Sequence, residues 1–266
     1  MIRWIMALIV ALISLVSYYG AREYNAVTDE VQHIDVTVEQ EIALGLQAAP
    51  EMAAQHGGLH PDRQMQALVD KVGKRLVAQS GAGQTPYAFD FYVLADEQTI
   101  NAFALPGGQI FITAGLVNRL RTEGEVAGVL GHEIGHVVAR HGAEHLAKAK
   151  LTQGLTGAAV IAAHDPDNPT SRYTAAFAAV IGQLVNMRFG RKDELESDRL
   201  GVRFTAEAGY DPRAMIGVME VLAEAGKGRQ PPEFFSTHPN PDRRVERIQA
   251  AIQERFPGGV PGGLMK

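Results

Sequence analysis

The chain contains no cysteine. That excludes disulfides, thiolate metal sites, a cysteine nucleophile and a lipid-modified N-terminal cysteine. Any metal must therefore sit on histidine and carboxylate ligands. Basic residues are not in excess either. Lys and Arg number 25 against 30 Asp and Glu, for a formal net charge of -5. No broad basic surface can neutralise phosphates, so nucleic acid is excluded as a partner. Internal repeats are absent. Apart from the N-terminal segment, long apolar runs are lacking too: Leu155 to Ala163 and Ala175 to Val185 are too short to span a bilayer and read as core helices or as a hairpin dipping into a membrane surface. What remains is an ordinary globular composition, 266 residues with 46% hydrophobic and 21% charged, enough to bury a core for one catalytic domain plus an appendage.

From Trp4 to Ala21 no residue is charged. As a helix this stretch measures roughly 27 Å, close to the thickness of a bilayer core. It reads as a transmembrane anchor or a signal sequence occupying residues 1–21. Tyr18, Tyr19 and Leu15 fall where a cleavage site needs small residues, which favours the anchor. Arg3 precedes the segment while Arg22 is offset by Glu23. The positive-inside rule then places the N-terminus in the cytoplasm and the rest on the periplasmic or exterior side. If the leader is cleaved, the protein is secreted to the periplasm.

Residues 22–60 read as a juxtamembrane tether followed by a helix, opened by a capping box at Thr37 and Gln40 and running towards Ala54. Met65, Leu68, Val69, Val72, Leu76 and Val77 recur at helical spacing. The period then changes: Phe89, Phe91 and Val93 alternate, and Gln109 to Thr113 follows the Pro106-Gly107-Gly108 turn, which implies a small sheet. Beyond residue 114 the pattern is helical, roughly over 122–148, 150–163, 172–188, 191–208, 212–225 and 241–255. The fold class is α+β and mostly helical. A catalytic domain is expected over 61–256, and the Pro- and Gly-rich 257–266 is expected to be a disordered tail.

Thr122 and Glu125 form a second capping box, and the helix it opens carries His132-Glu133-Ile134-Gly135-His136. Residues four apart share a helix face, so both imidazoles can reach one zinc ion. Glu133 lies about 60° round from His136, placed to take a proton from a metal-activated water without ligating the metal. The surrounding Ala127, Gly128, Val129, Leu130, Gly131, Ile134, Val137 and Val138 mark a buried helix, where two unpartnered histidines would be costly. A third ligand is needed. Position 142, where a third histidine would complete the metzincin pattern, is Gly142. The remaining common choice is a carboxylate from a later helix, and the acid-rich run from Arg191 to Asp198 places Glu194 and Asp198 on one face. Glu194 would bind zinc, Asp198 would accept the free ring N–H of His132, and Glu196 points elsewhere.

Four stretches in this order carry a resemblance: Asn101 to Gly108 with the strand after it, Gly131 to His141, Arg191 to Asp198, and Ser236-Thr237-His238-Pro239 to Arg244. Together they resemble the gluzincins of metallopeptidase family 48, the group of the HtpX-like and CAAX prenyl protease-like enzymes, in the branch with a soluble, envelope-facing catalytic domain. Ser197 stands where that family's pattern usually has Ala, and Gly190 where a Ser often precedes the Arg. The resemblance implies a zincin-like catalytic domain with a small sheet beside the motif helix and one Zn2+ per subunit on His132, His136 and Glu194.

The implied activity is a zinc-dependent endopeptidase acting on unfolded or misassembled envelope proteins. The alternative is a latent or non-hydrolytic zinc-binding chaperone module. Asn101, Ala102, Phe103 and Ala104 are expected to be either an exposed edge strand that takes extended substrate by main-chain hydrogen bonds or a plain structural strand. His238 is a transition-state donor, a removable fourth zinc ligand that keeps the enzyme latent, or a structural histidine. Arg244 is expected to be a salt-bridge partner, and His141 and His145, falling off the metal face, to be surface residues. His33, His56, His60 and His164 are taken as incidental.

Overall fold

The structure is a computed structural model and describes residues 2–163, 188–227, 231–240 and 243–266. The helix expected over 172–188, the run Ala175 to Val185 and His164 lie outside these residues, except for Arg188.

Helix α2 (Val38–Gln55) begins at Thr37, whose hydroxyl accepts from the Gln40 N–H while the Gln40 side chain accepts from the Thr37 N–H. Helix α3 (Arg63–Gln79) is capped by Asp62, which accepts from the N–H groups of Gln64 and Met65. Three strands follow, β3 (Asp90–Leu94), β4 (Ala102–Ala104) and β5 (Gln109–Thr113). Their order is β3-β5-β4, with β3 parallel and β4 antiparallel to the central β5. The tight link from β4 to β5 needs Gly107 at φ 90, where a Cβ would lie 2.5 Å from Ile42 Cα on α2. After the short α4 (Ala114–Val117) comes α5 (Glu123–Val138), the buried central helix, capped by Thr122. Val69, Val72 and Leu76 of α3, Phe91 and Ile110 of the sheet, Leu130 and Ile134 of α5 and Phe204 further on form the main core.

The helix expected over 122–148 breaks in the middle. Arg140 adopts φ 55, and α6 (His141–Ala163) starts afresh after it. A left-handed turn at a non-glycine residue is costly on its own. Here the buried Arg140 guanidinium pairs with Glu41 of α2 and with Glu23, 2.7 Å away. Those long-range ion pairs leave no trace in local periodicity.

Residues 22–36, read as a tether, contain a hairpin of β1 (Arg22–Asn25) and β2 (Glu30–His33). Its side chains satisfy carbonyls left open at the end of α5: Asn25 Nδ2 donates to Val138 O at 2.9 Å and Gln32 Nε2 to Ala139 O. Helix α2 packs Ala48 and Met52 against Phe103, Leu105, Phe111 and Leu146. The tail is anchored at its far end, contrary to the expected disorder. The Met265 N–H donates to Gly209 O, and its carbonyl accepts from the Asp211 N–H at 2.8 Å.

The remaining helices are α7 (Arg191–Glu207), α8 (Ala214–Ala225), α9 (Phe234–Thr237) and α10 (Arg244–Arg255). The N-terminal segment is helix α1 (Ile2–Gly20), which packs along α6 and exposes Ile2, Trp4, Leu8, Leu12, Ile13 and Val16. Among the described residues no helix is long and apolar enough to cross a membrane.

Candidate metal centre

Helices α5 and α7 cross at small residues. A Cβ at Gly135 would lie 3.1 Å from Ser197 Cα, and one at Gly201 would lie 3.1 Å from the His132 backbone nitrogen. This close approach lets a carboxylate near the start of α7 reach imidazoles near the end of α5. His132 Nε2 and His136 Nε2 are 3.1 Å apart. Glu194 Oε2 lies 3.5 Å from His132 Nε2, and Oε1 lies 3.4 Å from His136 Nε2. His238, from the loop after α9, brings Nδ1 to 3.0 Å from Glu194 Oε1 and 3.5 Å from His132 Nε2. All four residues are buried, and their ligand atoms lie within 4.8 Å of one another.

The contacts around the cluster set what these atoms can do. His132 Nδ1 is 2.9 Å from Asp198 Oδ1. Asp198 also accepts two hydrogen bonds from Arg244, both 2.8 Å. A carboxylate only accepts, so the His132 proton sits on Nδ1 and its Nε2 presents a lone pair. Two imidazole nitrogens and a carboxylate oxygen thus converge in a buried site, a donor set that suits a small cation, with Arg244 and His238 also in contact with the Glu194 carboxylate. Ligand atoms about 2.0 Å from a tetrahedral centre are about 3.3 Å from one another. Five of the observed separations, 3.0 to 3.5 Å, lie near that edge length, with the Glu194 contacts shared between its two oxygens, and the whole set lies within 4.8 Å.

Electrostatics agree with a seat for positive charge. Burial opposes the charged form of His132, but Asp198 and Glu194 outweigh it and push its pKa up to about 9. Burial likewise works against the Glu194 carboxylate, yet His238, His132 and His136 hold its pKa well below the usual range. His136 is pushed well below its ordinary value, chiefly by burial. The residues present fit a small divalent cation with tetrahedral preference.

Glu133 lies beside this set and outside it. It is fully buried, both carboxylate oxygens lack a hydrogen-bond partner, and Oε1 is 3.6 Å from His238 Nε2. Desolvation raises its pKa. His238 is clamped between aromatic rings, stacked on Phe234 at 4.5 Å and tilted towards Phe189 at 5.4 Å.

Asn101, Ala102 and Phe103 are buried and Ala104 is half-buried, so the segment is an edge strand by topology with its side chains turned inward. Asn101, Phe103 and Ala104 nevertheless line a cleft of about 220 Å³ together with Met52, Phe189 and His238. Asn101 Oδ1, buried there, has no partner.

The surface placement expected of His141 and His145 needs correction. His141 is not at the surface but 1% exposed, with Nδ1 2.9 Å from His136 Nδ1. The turn at Arg140 swings it back under the metal face, where an uninterrupted helix would have carried it away. Glu196 points away from the ligand cluster, as expected, and lies 3.2 Å from His141 Nε2. His145 is half-buried and pairs with Asp193 at 2.8 Å. Arg244 does more than brace Asp198, since its Nη1 lies 3.3 Å from Glu194 Oε2. Phe189 and Phe234 were not singled out from sequence, since nothing in their spacing distinguishes them from core aromatics.

Comparison with known proteins agrees with this geometry. The model of peptidase family M48 matches residues 63–252. The chain is 32% identical over 228 residues to the beta-barrel assembly-enhancing protease of Yersinia pestis, covering 84% of this chain and 46% of that protein. It is 31% identical over 245 residues to the mitochondrial metalloendopeptidase OMA1 of Schizosaccharomyces pombe, covering 90% of this chain and 69% of the relative. To the Arabidopsis thaliana OMA1 it is 36% identical over 163 residues, 61% of this chain and 32% of that one. The chain thus spans about half the length of several of its relatives. With the family model spanning most of the chain and the helix, carboxylate and histidine cluster inside the matched region, the protein belongs to metallopeptidase family M48.

Proposed function

We propose that this protein is a zinc endopeptidase that hydrolyses peptide bonds of membrane or envelope proteins, with zinc held by His132, His136 and Glu194 and with Glu133 as general base. The observation that carries this reading is the convergence of the His132 and His136 Nε2 atoms and the Glu194 carboxylate beside a buried Glu133 whose oxygens have no hydrogen-bond partner. Zinc bound there supplies Lewis acidity towards a carbonyl and a lowered pKa for water. The protein does the rest. Glu133, its pKa raised by burial, takes a proton and hands it to the leaving amine. Asp198 and Arg244 hold the His132 ring. Extended substrate adds along β4, and a side chain enters the cleft between Met52, Phe103 and Phe189. The names of the relatives, a beta-barrel assembly-enhancing protease and a mitochondrial metalloendopeptidase, support an endopeptidase, and the first supports envelope proteins as substrates.

Incubation of the full chain with casein tests the reaction. A strong chelator abolishes cleavage, and added zinc restores it. Cleavage indifferent to the chelator sinks the proposal.

His238 supports a latent form of the same enzyme. Its Nδ1 stands at ligand separation from Glu194 and His132, in the fourth place that hydrolysis needs open. His238→Ala therefore raises casein turnover severalfold at saturating zinc. A drop instead marks the imidazole as a transition-state donor.

Helix α1 holds the enzyme at a membrane, with the remainder on the periplasmic or extracytoplasmic side. Its exposed Ile2, Leu8, Ile13 and Val16, each more than 60% accessible, support this. Deleting residues 2–20 shifts the protein from the membrane pellet to the supernatant after alkaline carbonate extraction. If the full chain is already in the supernatant, the anchor is wrong.

A further inference from the structure

The two histidines of the cluster are backed by different groups. His132 leans on a carboxylate, Asp198, whereas His136 leans on a third imidazole. His136 Nδ1 is 2.9 Å from His141 Nδ1, and His141 Nε2 is 3.2 Å from Glu196 Oε2. His141 and Glu196 are 1% and 8% exposed, so water cannot substitute freely for either contact.

The protons along this chain are determined from its outer end. Glu196 is an acceptor, so the facing His141 Nε2 carries the hydrogen; the opposite assignment would set a lone pair against a carboxylate in a buried site. His141 Nδ1 is then a lone pair and accepts the Nδ1–H of His136. That leaves His136 Nε2 without a hydrogen and facing Glu194 and His132 Nε2. Phe189 stacks on the His136 ring at 3.9 Å and 22°, which fixes the ring plane but supplies no proton acceptor. The choice of tautomer falls to His141.

We propose that His141 and Glu196 are a positioning pair for the metal centre, holding His136 in the tautomer that ligates and thereby setting metal affinity. The pair rests on the metal-centre reading above, and it does not touch substrate. The turn at Arg140 is the structural device that makes it possible, because it detaches His141 from the face dictated by α5 and lays it under His136.

The test is zinc affinity of the full chain, measured by competition with a chromophoric chelator, beside thermal unfolding of the metal-free proteins. His141→Phe fills the space but cannot accept, and weakens zinc binding about 10–100-fold, the range for removing a group that orients a metal ligand. His141→Asn retains a carbonyl that accepts from His136 Nδ1, and it recovers most of that loss. Glu196→Gln keeps an acceptor without its charge and falls between wild type and His141→Phe. Wild-type affinity in His141→Phe overturns the proposal, and so does equal loss in the Phe and Asn variants, which would reduce His141 to a packing role. A wild-type chain that binds no zinc overturns the metal centre itself, so the two failures are distinguishable.

Discussion

Glu133→Gln abolishes casein cleavage, with a loss of about 10²–10⁴-fold, and leaves zinc content at one ion per chain. The size follows from removing a general base that acts in the transition state. Retained metal follows from geometry, since Glu133 stands outside the converging set of His132, His136, Glu194 and His238. Its two oxygens are buried without partners, so an isosteric amide disturbs no hydrogen bond already made. Desolvation raises its pKa, which makes its carboxylate a stronger proton acceptor than an exposed one. Metal analysis and a fluorescent casein assay on the same preparation decide the matter: wild-type cleavage by the variant removes Glu133 from the mechanism. Loss of zinc together with activity assigns it a structural part instead.

Much of this centre is legible in the sequence because its residues obey a helix period. Spacing of four puts His132 and His136 on one face, and the same rule pairs Glu194 with Asp198 on α7. A capping box marks the start of α2, and at α5 its Thr122 half is present while the Glu125 carboxylate accepts from the Arg121 N–H; both starts are local, a side chain meeting a backbone group a few residues away. What escaped was set by contacts across the chain. The β1–β2 hairpin has four-residue strands of mixed polarity and is ordered by bonds to Val138 and Ala139 more than a hundred positions later. His141 looked like a surface residue because periodicity was carried through Arg140. Its burial depends on a turn whose partners, Glu23 and Glu41, come from the far end of the sequence. The anchored tail is a similar case: its glycines and prolines suggest disorder, and only the edge formed by Gly209 and Asp211 gives Met265 a place to pair.

Arg140→Met destabilises the fold by about 3–5 kcal/mol, the range for breaking a buried ion pair by removing one member. Glu41 is 1% exposed and accepts from Arg140 Nε at 2.8 Å and from the Tyr87 hydroxyl at 3.0 Å. Without the guanidinium its carboxylate is left with one neutral donor, and Val36 O also loses its partner. The left-handed backbone at 140 loses the contacts that hold it, so the penalty is not confined to electrostatics. Denaturant unfolding of the metal-free protein measures the effect. The double variant Arg140→Met, Glu41→Leu separates the two causes. If the uncompensated carboxylate dominates, the double variant regains most of the loss. If the turn dominates, stability stays low, and zinc binding weakens in both variants because His141 is no longer delivered beneath His136. A single variant as stable as wild type shows that the break between α5 and α6 is encoded elsewhere, and that the hairpin and α2 do not hold the metal helix in place.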